Sequence, residues 1–110
     1  MPELAGSTAI VSTDRPQRYG KQLVSHMTRK VPGTWDEAGT GEIAFEFGTA
    51  TLTSVDGALR IEVAGDPENL ERLESVIGRH LVRFGTRDEL VVSWVRSDGT
   101  PGTEQRNDGD

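Results

Sequence analysis

The chain contains two histidines, His26 and His80, and each is followed three residues later by an arginine, Arg29 and Arg83. Imidazole changes its charge near neutral pH, and guanidinium donates paired hydrogen bonds to carboxylate and phosphate groups. Residues three apart on a helix project from nearly the same face. If two neighbouring helices carry these segments, the four side chains converge on one ligand-binding site.

Three interpretations of these residues remain open. In the first, both histidines hydrogen-bond at the rim of the core and the arginines pair with Glu74 or Asp88. In the second, imidazole and guanidinium donors hold an anion. In the third, two imidazoles bind a metal, but this needs a carboxylate partner and neither H-x-x-E-H nor H-E-x-x-H spacing occurs. We therefore predict no metal ligand and no cofactor.

The stretch from Thr13 to Trp35 predicts a basic amphipathic helix that carries the first histidine. Asp14 is a suitable N-cap, Pro16 falls in the first turn, and Pro32 stops the helix. His26 is expected at the edge of an apolar stripe formed by Tyr19, Leu23, Val24 and Met27.

The stretch from Asp66 to Gly85 predicts a second helix that carries His80. Asp66 and Pro67 repeat the cap and proline, and Gly85 stands where a residue of positive φ commonly ends a helix. Apolar residues recur every three or four positions at Leu70, Leu73, Ile77, Leu81 and Phe84.

Period-two alternation predicts the strands around these helices. Strands are expected at Ser7–Thr13, around Ile43–Phe47 and Thr49–Val55, on both sides of an Asp56-Gly57 turn, and at Glu89–Arg96. The order is β-α-β-β-β-α-β, with room for one further strand at Trp35. We predict an α+β, two-layer sandwich with two helices on one face of a mostly antiparallel sheet, TBP-like or ferredoxin-like in shape.

The 110 residues fit one domain. We expect a leader at residues 1–6, a single α+β domain at 7–96, and a flexible acidic tail at 97–110. The tail, with the sequence SDGTPGTEQRNDGD, has too few apolar residues to offset the entropy lost on ordering.

Composition and charge exclude several classes of protein. The chain has no cysteine, which rules out disulfides and thiolate metal sites, and it has no apolar run near the roughly 20 residues that span a bilayer. We expect a cytoplasmic protein without a membrane segment. The net charge is −6, and Glu42, Glu46 and Glu62 outnumber Arg60 on the predicted open sheet face, which argues against nucleic acid. Cations instead concentrate in residues 14–30.

Three runs of sequence resemble the uncharacterised bacterial family called domain of unknown function 2218. They are TDRPQRYGKQLVSHMTRKVPGTW, FGTATL and LERLESVIGRHLVRFGTRDELVVSWVR, and the resemblance covers about Ser7 to Arg96. It implies a small α+β protein with a link to iron uptake, because similar domains occur with flavin-dependent siderophore-interacting proteins. His26, Arg29, His80 and Arg83 fall in its recurrent segments.

The first functional hypothesis is a small binding module that holds an anionic small molecule, or a siderophore-interacting reductase, through the two H-x-x-R segments. An enzyme that uses His26 or His80 as general acid or base is the first alternative. The second is a structural domain that forms homodimers through an exposed strand edge or Trp94, so that monomer and homodimer both remain open. The sequence favours binding over catalysis.

Overall fold

The computed structural model describes residues 5–85 and 90–106 and shows two helices packed on one face of an antiparallel sheet. The helices are α1 (Pro16–Met27) and α2 (Leu70–Phe84), the latter preceded by a 3-10 turn (Pro67–Asn69). The strands are β1 (Ala5–Ser12), β2 (Gly33–Asp36), β3 (Thr40–Phe45), β4 (Gly48–Val55), β5 (Ala58–Gly65), β6 (Val91–Arg96) and β7 (Pro101–Arg106). The predicted α+β architecture is confirmed.

The sheet has seven strands in the order β2-β3-β4-β5-β1-β6-β7, and every neighbouring pair is antiparallel. The extra strand suggested at Trp35 is β2. The Trp35 indole packs beneath α1 so closely that a Cβ at Gly20 would lie 2.6 Å from the ring. Gly20 is therefore required for the helix to approach the sheet, although glycine weakens a helix interior.

The sequence prediction for the helix ends holds better for α2, which follows Asp66 and Pro67 through the 3-10 turn and ends directly before Gly85, than for α1. α1 is preceded by Arg15, and Asp14 makes no capping bond; Thr13 Oγ1 accepts a hydrogen bond from the Arg15 N–H at 3.0 Å. The helix ends at Met27, before Pro32. Gly85 follows α2 with φ of −98°, so the expected positive φ is wrong. Glycine is needed there because a Cβ would lie 2.2 Å from Leu90 Cδ1.

One core lies between the helices and the covered face of the sheet. Alternate residues of the strands point into it, and the helices contribute the stripes predicted from their spacing. The largest fully buried apolar side chains are Trp94, Leu23, Ile43, Leu52, Leu59, Ile61, Leu73, Ile77, Leu81, Val11 and Val92. Trp94 is only 2% exposed, so it is not available as the dimer contact considered above.

The segments expected to lie outside the domain contribute strands. Ala5 and Gly6, assigned to the leader, begin β1, and Pro101–Arg106, assigned to a flexible tail, form β7. β7 pairs with β6 from Val91↔Arg106 to Val95↔Pro101. Apolar burial does not hold this strand in place. Backbone pairing and polar contacts do, and composition does not reveal either of them. Residues 107–110 and the predicted strand start at Glu89 lie outside the described residues.

A buried carboxylate on α2 fastens β7 to the rest of the fold. Glu74 is fully buried, and its Oε2 accepts hydrogen bonds from Ser7 Oγ at 2.6 Å and Arg96 Nε at 3.2 Å. Its Oε1 accepts from Arg96 Nη2 at 3.2 Å and from both N and Oγ1 of Thr103, at 3.1 and 2.9 Å. One carboxylate thus joins α2, β1, β6 and β7, as a buried charge requires if it is to be stable.

Gln105 extends this polar network to the core tryptophan. Its Oε1 accepts the Trp94 indole N–H at 2.7 Å, and its Nε2 donates to Thr103 Oγ1 at 2.8 Å. The side chain lies against Gly78 of α2, where a Cβ would come within 2.0 Å of Oε1. Gly78 therefore provides the space in which β7 reaches α2.

Candidate functional site

His26 and His80 meet where the two helices approach each other. Their ring centroids are 4.9 Å apart, and the ring planes are tilted by 47°. Phe84 packs edge-on against His26 at 5.4 Å and stands 6.3 Å from His80. The convergence predicted for the two histidines is therefore found, with an aromatic residue at its base.

The buried stripes of the helices place these rings. In α1, Leu23 and Val24 enter the core and leave His26 exposed at the stripe edge. In α2, Ile77 and Leu81 are buried on either side of His80, which is half-buried. Each ring thus points sideways along its helix toward the other helix instead of into the core.

A backbone carbonyl fixes the orientation of the His80 ring. Its Nδ1 lies 2.7 Å from the carbonyl oxygen of Val76. A carbonyl only accepts hydrogen bonds, so Nδ1 carries the proton and donates. Nε2 is therefore the ring atom left to interact with other groups, as a lone pair in the neutral ring and as an N–H in the cation.

Positive charge surrounds His26. Partial desolvation lowers the pKa of His26, and the charges of His80, Arg29, Lys30 and Arg83 lower that pKa further. A field that disfavours an added proton favours an added anion. Local electrostatics therefore contrast with the net charge of −6 for the whole chain.

The two arginines of the H-x-x-R segments have different positions. Arg83 lies on α2 beside His80, and both line a cleft of about 270 Å³ together with Ser75, Val76 and Arg79. Arg29 follows the end of α1 and contributes to the site through its charge on His26. Arg79 was missed from the sequence, although it lies four residues before Arg83 and therefore on the same helix face.

Only one of the two carboxylates considered as internal partners of the arginines lies among the described residues. Glu74 forms its ion pair with Arg96 at 3.2 Å, and Asp88 lies outside the described residues. Across residues 5–85 and 90–106, His26 and His80 are not joined by a third metal-binding side chain. Neither helix in the described part of the chain has the length and apolar character needed to cross a membrane.

Comparisons with other proteins identify the family of the chain and a structure with a similar fold. Residues 8–95 match the family model described as "Uncharacterized protein conserved in bacteria (DUF2218)". The NMR structure of PA4090 from Pseudomonas aeruginosa is similar, with a TM-score of 0.62 and 19% identity over 86% of this chain and 97% of that chain. At this identity the likeness concerns the fold alone. No curated protein gives a significant sequence match.

Proposed function

Since the chain belongs to the uncharacterised bacterial family DUF2218, we propose its function from its own residues: it is a binding module for a small anion. The observation that carries the proposal is the meeting of two imidazoles at 4.9 Å, where neighbouring positive charges lower the pKa of His26. Cationic side chains at helix C-termini are already favoured by the helix dipole, so charge alone is a weak argument. The contact between the two imidazole rings and the adjoining cleft are the further support for the proposal.

The donors suit a carboxylate or a phosphate. His80 Nε2 is left to interact with a ligand by the bond at Nδ1, and the guanidinium groups of Arg79 and Arg83 border the same cleft. Guanidinium binds planar or tetrahedral oxyanions through two parallel hydrogen bonds. A volume of about 270 Å³ limits the bound part to a small group, such as one end of a larger chelator.

Proton uptake should accompany binding. An anion offsets the positive field that lowers the pKa of His26, so that pKa rises in the complex. By linkage, affinity increases as the pH falls from about 8 toward 6. This pH dependence separates binding at the imidazoles from nonspecific attraction to arginine alone.

The test is calorimetric titration with phosphate, citrate, ferric citrate and a ferric tricatecholate siderophore. The ferric chelates enter the panel because the family resemblance implies a link to iron uptake. We expect one probe to bind with a Kd below about 1 mM, and His80→Gln or Arg83→Gln to weaken it at least about tenfold. Arg18→Gln removes an exposed charge from α1 away from the cluster and should leave the Kd unchanged.

Absence of binding by all four probes at about 1 mM, or equal weakening by Arg18→Gln, would contradict the proposal. In a second version of the proposal, the anionic partner is a protein, a siderophore-interacting reductase with an acidic surface. Retention of such a reductase on the immobilised wild-type protein, but not on the Arg83→Gln variant, would favour it.

General acid–base catalysis at the same rings is a second candidate function. The observation that favours it is the fixed orientation of His80 together with the lowered pKa of His26, which leaves a neutral imidazole available as a base near pH 7. The titration mixtures answer this question also, because a probe that is turned over gives new NMR signals that His80→Gln abolishes.

A further inference from the structure

Another cavity, which we call the Arg72 cavity, lies where the turn after α1 meets the start of α2. Residues 30–32 after α1, residues 44, 46 and 47 at the β3–β4 turn, and Asn69 and Arg72 form its walls. Its volume is about 510 Å³, compared with about 270 Å³ for the cleft beside His80. Cavities of about 300–1,000 Å³ are typical of small-molecule sites.

A stacked guanidinium group forms one wall of this cavity. The Arg72 Cζ atom lies 4.1 Å from the centre of the Phe47 ring, and Phe47 stacks on Phe45 with ring centroids 5.2 Å apart. The next residue, Leu73, is fully buried, which holds the Arg72 backbone against the core. Stacking occupies the flat face of a guanidinium group, whereas its five N–H donors lie in the plane. The donors of Arg72 therefore remain available in a fixed orientation.

Lys30 brings a second cation to the same cavity. Its backbone N–H donates to the carbonyl oxygen of Met27 at 3.0 Å, which fixes the base of the side chain. Across residues 5–85 and 90–106, four ion pairs form, and neither Lys30 nor Arg72 takes part in any of them. Glu46 also lines the cavity, so two cations and one anion leave a net charge of +1.

The helix dipole does not explain the position of Arg72. It is the third residue of α2, and the positive end of the dipole disfavours a cation in the first turn. Glu71, the acidic residue of that turn, lies near enough to Arg96 for their charges to interact. The dipole, Arg72 and Lys30 therefore all favour an anion in the cavity. His80 and Arg83 differ, because they lie toward the C-terminal end of the helix.

We propose that the Arg72 cavity binds a small organic anion, with one carboxylate or phosphate group and an apolar body. The anionic group lies between the N–H donors of Arg72 and the ammonium group of Lys30. Val31, Pro32 and the edge of the Phe47 ring form the apolar wall against which the body packs. A single negative charge matches the net charge of the lining. This site is separate from the histidine cluster and does not depend on the anion proposed there.

Titration followed by nitrogen–proton correlation NMR tests the proposal, because shifts of the backbone amides locate the ligand. The probes are phenyl phosphate, phenylacetate and the uncharged phenylacetamide. We expect one of the two anions to bind with a Kd below about 2 mM and to shift the amides of Phe47, Asn69 and Arg72. Phenylacetamide should bind at least about tenfold more weakly. Arg72→Gln should weaken binding of the anion at least about tenfold, and Glu46→Gln should tighten it about threefold by removing the opposing charge.

Arg18→Gln is the matched control, because it makes the same substitution at an exposed position of α1 outside the cavity. Thermal unfolding followed by circular dichroism checks that each variant remains folded. The proposal is overturned if neither anion binds at about 5 mM, if phenylacetamide binds as tightly, or if Arg18→Gln weakens binding as much as Arg72→Gln. Amide shifts confined to His26 and His80 also overturn it, since they place the ligand in the histidine cluster. Shifts at the Arg72 cavity without shifts at the histidines support it and leave the first proposal to its own test.

Discussion

α2 carries two clusters of charged residues that the fold treats in opposite ways. Glu74 is fully buried and accepts five hydrogen bonds from Ser7, Arg96 and Thr103. Two turns later, His80 and Arg83 border an open cleft and add to a positive field around His26. The carboxylate of the first cluster is satisfied by hydrogen bonds within the protein, whereas the charges of the second cluster lower the pKa of His26. This difference is the reason that we propose a ligand for the second cluster and not for the first.

The largest expected effect comes from removing the buried carboxylate. Glu74→Ala leaves Arg96, Ser7 and Thr103 without their common acceptor and should lower the free energy of unfolding by about 3 kcal/mol. The value lies at the lower end for buried pairs because the Arg96 side chain is 29% exposed and retains some water. Chemical denaturation measures the change. Glu71→Ala, an exposed neighbour on the same helix, should change stability by less than about 0.5 kcal/mol. Equal effects of the two variants would show that the Glu74 network is not structural.

The pH dependence of stability sharpens the same contrast. Burial raises the pKa of Glu74, but the hydrogen bonds from Arg96, Ser7 and Thr103 outweigh burial and hold that pKa below 4.5. A depressed carboxyl pKa stabilises the folded state above the unfolded value and loses this contribution as the pH falls through the folded value. Unfolding free energies measured from pH 6 to 3 should therefore fall more steeply below pH 4.5 in wild type than in Glu74→Gln. If the unfolding free energies of wild type and Glu74→Gln fall in parallel with pH, protonation of Glu74 does not contribute to acid unfolding.

The smallest effect concerns the histidine cluster. NMR titration should give His26 a pKa below 6.5, and both His80→Gln and Arg83→Gln should raise it because each removes a source of the positive field. His80→Gln should raise it more, since among these charges that of His80 lowers the pKa of His26 most and that of Arg83 least. With a lowered pKa, the charged ring is disfavoured in the folded protein, so this group reduces stability as the pH falls below 6.5. If the pKa of His26 changes in neither variant, the charges on α2 do not act on His26 and the prediction is wrong.

The spacing of apolar residues predicted both helices and the meeting of the histidines, because a stripe fixes which neighbours share a face. It did not predict β7, whose order depends on partners far away in the chain, such as Thr103 with Glu74 and Gln105 with Trp94. One signal was present: Glu74 falls between Leu70 and Ile77 on the apolar stripe, where a carboxylate must find buried partners. Asp14 is not the cap because α1 begins one residue later than predicted, after Arg15.

The boundary of the family match has a practical consequence for protein production. The match ends at residue 95, just before Arg96 and β7. A gene fragment designed to that limit would encode both helices yet omit four of the five hydrogen-bond donors to Glu74. Expression of such a fragment should yield aggregated material, and recombinant versions of this domain need to extend at least through Arg106.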